Sequence, residues 1–416
     1  MNQSLEVHRK KARIISAGII GNVIEYYDFA IIGFMAVIMG QLFFPSNDPF
    51  LSLLGSFGAF AAGMIMRPVG AIFFGHIGDK ISRKYALLAS LLMMALPTFL
   101  IGFLPTYAQI GLLAPILLIL LRMIQGFSVG GEYASSIVYL VESSPEGNQN
   151  LYGSFVSLGA KLGMAIGAGF CGWLIAYYGD NAMLEWAWRI PFWASILLAL
   201  FGLYLRQHLS DEYKAPKSKE IPIVQILKYH RTAFYKYLIL ASAIWLFYYT
   251  LFIYLPIWLQ TYGGLTKHIS SSLNTYSIIL GVIFIPIMAI IADRIGSHKL
   301  MRYTMIAIAI LIIPIFMLLI SGDIYLVVFA LSLMTILLCA FQAPIFAATV
   351  NAISHHEYRA SFTAVILGSA AGIVGGTTPA LMTLLTKITN EPLAPAILIA
   401  LFAIIAFIVT KNISQE

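Results

Sequence analysis

The chain has 416 residues, of which 60% are hydrophobic and only 10% are charged, and its mean hydropathy is +0.87. Soluble domains carry about 25% charged residues, so this composition excludes that class and indicates a membrane protein with many spans. The formal net charge of +7 comes from basic residues in short stretches between apolar segments. That pattern is typical of charges that orient a membrane protein and argues against a nucleic-acid-binding surface.

Apolar segments long enough to cross a bilayer recur along the whole chain, and a spanning helix needs about 20 mostly apolar residues. We therefore predict an all-α membrane protein with twelve transmembrane helices. The predicted spans are 14–43, 51–77, 85–104, 109–140, 152–178, 187–206, 235–261, 271–292, 300–320, 324–350, 360–385 and 393–410.

The longest polar stretch lies between the sixth and seventh spans. It divides the chain into a predicted N-terminal six-helix half at 1–206, a cytoplasmic linker at 207–234 and a C-terminal six-helix half at 235–416. With the N-terminus inside, the inner segments contain 19 Lys and Arg residues, Arg206 among them. The outer loops contain only Arg189, Lys267 and Lys387. We therefore expect both termini to be cytoplasmic.

A short charged loop occurs twice. The residues GDKISRK at 78–84 reappear in outline as ADRIGSH at 292–298, about half the chain later, and each copy lies between two apolar segments. A repeat of that length predicts two pseudo-symmetric halves. Membrane proteins with two halves are mostly transporters, because halves that rock against each other can expose one central site to either side.

The loop at 75–84, GHIGDKISRK, resembles the signature loop of the major facilitator superfamily, with Ser82 where that family usually has Gly. Other stretches are similar to its metabolite:proton symporters, and two of these, 127–133 and 202–206, favour the proline/betaine osmolyte type. The stretches that carry the resemblance are 21–29, 67–70, 122–133, 188–192 and 202–206. The resemblance implies the twelve-helix fold of that superfamily, a bacterial inner-membrane location and alternating access driven by a proton gradient.

Charged residues at mid-bilayer depth are costly and therefore indicate function. Glu25 and Asp28 stand near the middle of the first span and share one helix face. Two close carboxylates in a low dielectric cannot both ionise cheaply, which suits a group that binds and releases a proton. We predict that Glu25 and Asp28 form the proton-coupling site, and the resemblance implies that Arg122 is tied to it. A static ion pair with Arg122 or Lys161 is the alternative.

For the substrate, Arg122 could contact a carboxylate bidentately, and Lys161 is either an anion contact or a counter-charge for Glu25 or Asp28. Aromatic faces bind quaternary ammonium groups, so the aromatic residues of spans one and seven are candidate contacts, with ordinary helix packing as the alternative. We predict these substrate-binding residues: Tyr26, Tyr27, Arg122, Lys161, Trp245, Tyr248, Tyr249 and Gln342.

Charges near the inner ends of spans are candidates for a gate. We expect Asp79, Arg83 and Glu132 to form one network that holds the outward-facing state. Arg67 is assigned to the same region, and the second copy of the loop adds Asp293 and Arg294. Glycine runs in spans five and eleven predict close helix approach between the halves.

The sequence contains no phosphate-binding loop and no motif for catalysis or metal binding, so we expect no enzyme activity, no metal and no cofactor beyond the proton gradient. The expected partners are a small-molecule substrate, protons and the lipid bilayer, with no nucleic acid, and we expect a monomer.

The function favoured by the sequence is proton-coupled symport of a small carboxylate-bearing metabolite, first a zwitterion such as proline or betaine. The alternatives are a di- or tricarboxylate:proton symporter, an uncoupled facilitator or exporter of the same fold, and a non-transporting membrane receptor or scaffold.

Overall fold

The computed structural model of the protein describes residues 2–47, 49–207 and 221–413. Most of the predicted linker, at 208–220, lies outside the described residues. The described end of the linker holds a short helix at Pro222–Tyr229.

The first part of the chain forms long helices at the predicted spans and a few short ones between them. They are α1 (Asn2–Phe34), α2 (Ala36–Phe43), α3 (Pro49–Lys80), α4 (Arg83–Ile101), the single turn α5 (Tyr107–Ile110), α6 (Leu113–Glu142), α7 (Gln149–Glu185), α8 (Ile190–Gln207) and α9 (Pro222–Tyr229). A 3-10 turn at Ala187–Arg189 leads into α8. The helix α7 is kinked at Gly179, whose φ of 73° is left-handed.

The second part of the chain repeats this pattern. Its helices are α10 (Arg231–Tyr249), α11 (Leu255–Thr261), α12 (Lys267–Ile295), α13 (Ser297–Ile320), α14 (Ile324–Val350), α15 (Arg359–Ser369), α16 (Gly376–Thr389) and α17 (Ala394–Ile413). A 3-10 turn at His356–Tyr358 precedes α15. Two spans contain π-helical turns, at Thr250–Tyr254 between α10 and α11 and at Ala370–Gly375 between α15 and α16.

Within the described residues, eleven helices are long and apolar enough to cross a membrane. A twelfth is counted if α1 and α2, which meet at a bend of 66°, are one span. The part of the chain that the structure describes contains no β-strand. The predicted all-α membrane fold is confirmed. Several helices extend past the predicted boundaries, because hydropathy marks only the lipid-facing part of a helix whose hydrogen bonding continues beyond it.

The two charged loops begin their following helices in different ways. Ser82 has an extended backbone, and its hydroxyl accepts a hydrogen bond from the Tyr85 N–H, so it caps α4. Gly296 stands in the equivalent place before α13 with a φ of 96°, a conformation that favours glycine. Ser82 therefore departs from the signature loop without strain, because its own backbone does not need glycine.

The described residues divide into two compact units that do not follow the chain order at every point. The first unit contains the described residues up to Ser143, from Phe155 to Ile223 and from Glu357 to Gly368. The second contains Ser144–Ser154, Val224–His356 and the described residues from Ser369 onward. The division of the chain at 207–234 stays a prediction.

Glycines bring two pairs of helices in the first unit into backbone contact, α3 with α6 and α1 with α7. A methyl group on Gly126 of α6 would overlap the carbonyl oxygen of Gly63 on α3, and one on Gly70 would overlap the carbonyl oxygen of Phe127. On α7, Gly163 lies similarly close to the Val23 carbonyl of α1. The glycine run of span five was predicted to face the other half. Three of its members instead pack against α1 in the same unit: Gly159, Gly163 and Gly167.

We predict that Gly126→Leu lowers the amount of folded protein in the membrane several-fold. The added side chain cannot enter the space between α6 and α3, and overpacking of a close contact costs about 1–3 kcal/mol or more. Size-exclusion profiles of the detergent-extracted protein measure this effect. Gly58→Leu is the matched control, because Gly58 also lies on α3 and has no atom within 4 Å of its Cβ position. Equal yields of the two variants would contradict the prediction.

Candidate proton-coupling site and the charged clusters around it

Glu25 and Asp28 lie on α1 and line a small pocket in the first unit. The pocket is formed by α1, α3, α4 and α6 and has room for about one water molecule. Both carboxylates are buried, with exposed fractions of 0% and 5%. Arg67 and Arg122 also line the pocket. Two carboxylates and two guanidinium groups therefore meet in a space that suits a proton or a water molecule.

Arg67 is the cation beside Glu25. Its Nη2 lies 3.6 Å from Glu25 Oε1, and its guanidinium lies 4.6 Å from the centre of the Phe29 ring. Among the described residues neither Glu25 oxygen has a hydrogen-bond partner, so both are open to a proton. We expected Arg67 to lie near Asp79, and this placement is wrong, because Arg67 lies beside Glu25. Twelve helical residues separate Arg67 from Asp79, which is about 18 Å along α3.

Asp28 is connected to Arg122 by two neutral side chains. Thr98 of α4 lies in hydrogen-bond contact with Asp28 Oδ2, and Gln125 Nε2 donates to Thr98 Oγ1 at 2.6 Å. Arg122 Nη1 donates to Gln125 Oε1 at 2.7 Å. The structure thus brings all three predicted proton-coupling residues into one pocket and relays the contact between Asp28 and Arg122 through Thr98 and Gln125.

Sequence reasoning missed Thr98 and Gln125. Gln125 lies three residues after Arg122, on the same face of α6, and this spacing is a signal that could have identified it. Thr98 offers no comparable signal, because a lone threonine in an apolar helix usually bonds to its own backbone. Thr98 also does so, with the Met94 carbonyl oxygen at 2.9 Å.

Glu132 forms a separate buried cluster with Arg206, so the predicted network of Asp79, Arg83 and Glu132 is wrong in this respect. Both side chains are fully buried, and the guanidinium binds the carboxylate with two nitrogens, one of them at 2.9 Å. Ser90 and Ser136 donate to the same carboxylate at 2.5 and 3.1 Å. The sequence places Arg206 among the cytoplasmic charges, because it is the last residue before the polar linker, whereas the structure buries it.

The Glu132–Arg206 pair joins four helices. Glu132 is on α6, Arg206 on α8 and Ser90 on α4, while Gly21 of α1 packs so closely that a methyl group there would overlap both charged groups. Arg206 also donates to the Leu87 carbonyl oxygen of α4 at 2.5 Å. A bidentate pair with its remaining lone pairs satisfied is the geometry in which a buried ion pair is tolerated.

Asp79 and Asp293 make equivalent contacts at the two copies of the charged loop. The Asp79 carboxylate accepts hydrogen bonds from the backbone N–H groups of Ala360 and Ser361, at 3.0 and 2.8 Å. Asp293 accepts those of Asn150 and Leu151, at 2.9 and 3.0 Å. Each aspartate therefore binds the start of a helix, α15 or α7, where free N–H groups and the helix dipole favour an anion.

Around Asp79 the first copy adds charged side chains. Arg83 Nη1 lies 2.5 Å from Asp79 Oδ1, and Arg83 Nε lies 3.3 Å from Glu142 Oε2. Arg359 at the start of α15 lies 3.9 Å from the other Glu142 oxygen. In the second copy Arg294 is exposed. The predicted gating role of these residues stays a prediction.

The substrate residues predicted in the first unit are buried. Tyr27 donates to the Pro191 carbonyl oxygen at 3.0 Å, and the Tyr26 ring centre lies 6.2 Å from that of Tyr133. Lys161 is 2% exposed on α7, two residues before the contact of Gly163 with α1. These positions are compatible with packing as well as with ligand contact.

The substrate residues predicted in the second unit include an aromatic cluster on α10. The ring centre of Trp245 lies 5.4 Å from that of Tyr248 and 6.0 Å from that of Tyr249. Gln342 on α14 is buried, and its amide oxygen has no hydrogen-bond partner among the described residues. The two groups of predicted substrate residues lie in different units. That they form one substrate site stays a prediction.

We predict that Glu132→Gln destabilises the protein by about 3–5 kcal/mol, because it leaves the buried Arg206 charge without its counter-ion. Thermal unfolding of the detergent-purified protein checks this. Glu146→Gln, an exposed change in the loop between α6 and α7, is the control. The double variant Glu132→Leu with Arg206→Met removes both charges and should be less destabilised than the single one. An unfolding temperature of Glu132→Gln equal to that of the control would show that the pair is not needed.

The model of the Major Facilitator Superfamily matches residues 18–379 of this chain. Relatives match over most of its length. The proline/betaine transporter of Salmonella typhimurium is 32% identical over 96% of this chain and 82% of its own length. The glycine betaine/proline/ectoine/pipecolic acid transporter OusA of Dickeya dadantii is 31% identical, over 95% of this chain and 82% of its own.

Solved structures share the fold at lower identity. The proton:xylose symporter XylE is 14% identical with a TM-score of 0.76, and the match covers 97% of this chain and 96% of that one. The fucose:proton symporter FucP of E. coli is 16% identical with a TM-score of 0.72, and the match covers 98% of each chain. The family match, the relatives and the helical architecture agree, and the chain belongs to the major facilitator superfamily of multi-span membrane transporters.

Proposed function

We propose that the protein imports a small zwitterion of the proline or betaine type together with a proton, by alternating access. The observation that carries the proposal is the pocket in which two buried carboxylates, Glu25 and Asp28, meet Arg67 and Arg122. Ionisable groups inside a membrane protein are expensive and mark ion or proton pathways.

The proton part of the proposal rests on the unequal surroundings of the two acids. Glu25 has an ion pair with Arg67 but no hydrogen bond among the described residues, whereas Asp28 has a hydrogen bond to Thr98. Binding of a proton to either acid changes the charge balance with Arg67 and Arg122. Because a ligand shifts a conformational equilibrium only by its differential affinity for the two states, this change in charge is what couples the proton to the transport cycle.

The substrate part of the proposal rests on the relatives and on the aromatic cluster of α10. Both relatives are named as transporters of proline and betaine-type solutes. In the second unit, the faces of Trp245, Tyr248 and Tyr249 can attract a quaternary ammonium group. In the first unit, the guanidinium of Arg122 can bind a carboxylate. Tyr26, Tyr27, Lys161 and Gln342 are proposed as further contacts.

We further propose a bacterial inner-membrane location with both termini cytoplasmic, a monomeric state, and a gate in which Asp79 and Asp293 hold helix starts. The alternating states would differ in whether these aspartates keep their backbone partners. Arg83 strengthens the first contact, since it lies between Asp79 and Glu142.

One observation favours a second candidate, a di- or tricarboxylate:proton symporter. Lys161 is buried in a span, and a second buried cation in addition to Arg122 would suit a substrate with more than one negative charge.

We predict that proteoliposomes with an inward proton gradient accumulate proline and glycine betaine, and accumulate citrate and α-ketoglutarate at least tenfold less. An aromatic cluster can bind the ammonium group of a zwitterion, and a guanidinium can bind its one carboxylate. Radiolabelled uptake with and without a protonophore measures this. Accumulation of citrate and α-ketoglutarate alone would contradict the zwitterion proposal and support the second candidate. Uptake that is unchanged by the protonophore would indicate a facilitator.

We predict that Asp28→Asn abolishes uphill accumulation, so that the internal substrate concentration only reaches the external one, while exchange of internal for external substrate continues. The amide preserves the shape but cannot release a proton. Asp323→Asn is the matched control, because Asp323 caps the exposed start of α14, where Asn is equally suitable. Continued accumulation by Asp28→Asn would rule Asp28 out as the coupling group, and Glu25→Gln would then be tested in the same assay.

A further inference from the structure

Thr98 has more hydrogen-bond contacts than its single hydroxyl proton can serve at one time. Its Oγ1 lies in hydrogen-bond contact with Asp28 Oδ2, 2.9 Å from the Met94 carbonyl oxygen and 2.6 Å from Gln125 Nε2. A hydroxyl has one O–H to donate and two lone pairs that accept. Thr98 can therefore donate to only one of these groups at a time, and the donor in each of the other contacts has to be identified.

Arg122 decides the direction on one side. A guanidinium can only donate, so the oxygen of Gln125 must be the atom that faces Arg122 Nη1, at 2.7 Å. The Gln125 amide nitrogen then faces Thr98 and donates to it. Thr98 must accept on that side, and its own proton is left for one of two acceptors, Asp28 or the Met94 carbonyl.

These two acceptors correspond to the two protonation states of Asp28. When Asp28 is a carboxylate, Thr98 donates to it. When Asp28 carries a proton on Oδ2, its O–H donates to Thr98 Oγ1, and the Thr98 hydroxyl turns toward the Met94 carbonyl oxygen. Thr98 then accepts from Asp28 and Gln125 and donates once, which uses its full capacity. Only a rotation about the Thr98 C–O bond separates the two arrangements.

We propose that Thr98 is a positioning residue for the coupling proton: its hydroxyl reverses direction as Asp28 gains or loses its proton, so that Asp28 keeps a hydrogen bond in both states. The inference rests on the proposed function of Asp28. It identifies a residue outside the charged set that adjusts the pH range in which the transporter binds and releases its proton.

The charged groups on the helices packed against α1 are the electrostatic background against which Thr98 works. The described helix α4 presents only neutral groups to Asp28, through Thr98 and Met94. The buried charged groups on α1 and the helices around it are Glu25 on α1 itself, Arg67 and Asp79 on α3, Arg83 on α4, Arg122 and Glu132 on α6, Lys161 on α7 and Arg206 on α8. Substitutions of Thr98 leave all of these in place, so a changed pH profile reports on the hydroxyl.

The test is the pH dependence of uptake into proteoliposomes by Thr98→Val, Thr98→Ala and Thr98→Ser, with proline or glycine betaine as the probe. Loss of the hydroxyl destabilises the ionised form of Asp28 more than the protonated form, because hydrogen bonds to charged groups are stronger. Asp28 then holds its proton up to a higher pH. We expect the pH of half-maximal uptake to shift upward by up to about one unit in the Val and Ala variants. The Ser variant should match the wild type.

Thr335→Val is the matched control. Thr335 is fully buried on α14 and donates to the Leu331 carbonyl oxygen at 2.8 Å, so it has the same backbone bond as Thr98 but lies in the other unit. Its pH profile should be unchanged. The Ala variant keeps the test decisive if the Val variant does not reach the membrane.

The inference is overturned if the variants without the hydroxyl keep the wild-type pH profile, or if Thr98→Ser shifts as far as Thr98→Val. Asp28→Asn separates this failure from failure of the proposed function. If Asp28→Asn still accumulates substrate, the coupling site itself is wrong. If it does not accumulate and the Thr98 profiles are unshifted, only the role of Thr98 is wrong.

Discussion

The constraint on which this structure depends is the cost of placing charge inside a bilayer. Every ionisable side chain in a span must be paired, hydrogen-bonded or neutralised, because the surrounding lipid offers no water. The first unit contains two different solutions. Glu132 and Arg206 are paired bidentately, and serine hydroxyls donate to the same carboxylate. Glu25 and Asp28 have fewer partners: both Glu25 oxygens and Asp28 Oδ1 have no hydrogen bond among the described residues.

The two clusters contact different turns of α1. Gly21 packs against the fixed pair, and Glu25 and Asp28 lie one and two turns further along the same helix. A rigid anchor so close to the pocket holds α1, α4, α6 and α8 in register. The buried ion pair and the pocket therefore lie about one helical turn apart on α1.

The fold could be predicted from hydropathy and from the repeated charged loop, because lipid imposes length and composition on every span. The carboxylates at 25 and 28 could also be found, since charge in an apolar helix is conspicuous. Other residues could not. Arg206 borders a charged linker and has the sequence context of a loop residue, and its burial depends on how four helices cross. Thr98 is one of many hydroxyl residues in the spans, and only the crossing of α4 over α1 places it beside Asp28.

The contacts of Asp79 and Asp293 have a consequence for sequence variation. Each carboxylate binds main-chain N–H groups, which every amino acid except proline supplies. Asn150 also donates from its side-chain Nδ2 to Asp293 Oδ1 at 2.9 Å, so that position is bound by its side chain as well. The residues at 151 and 360 can change among relatives without loss of the main-chain contact, whereas the two aspartates cannot. Pairwise covariation of Asp293 with position 151, and of Asp79 with position 360, should accordingly be weak.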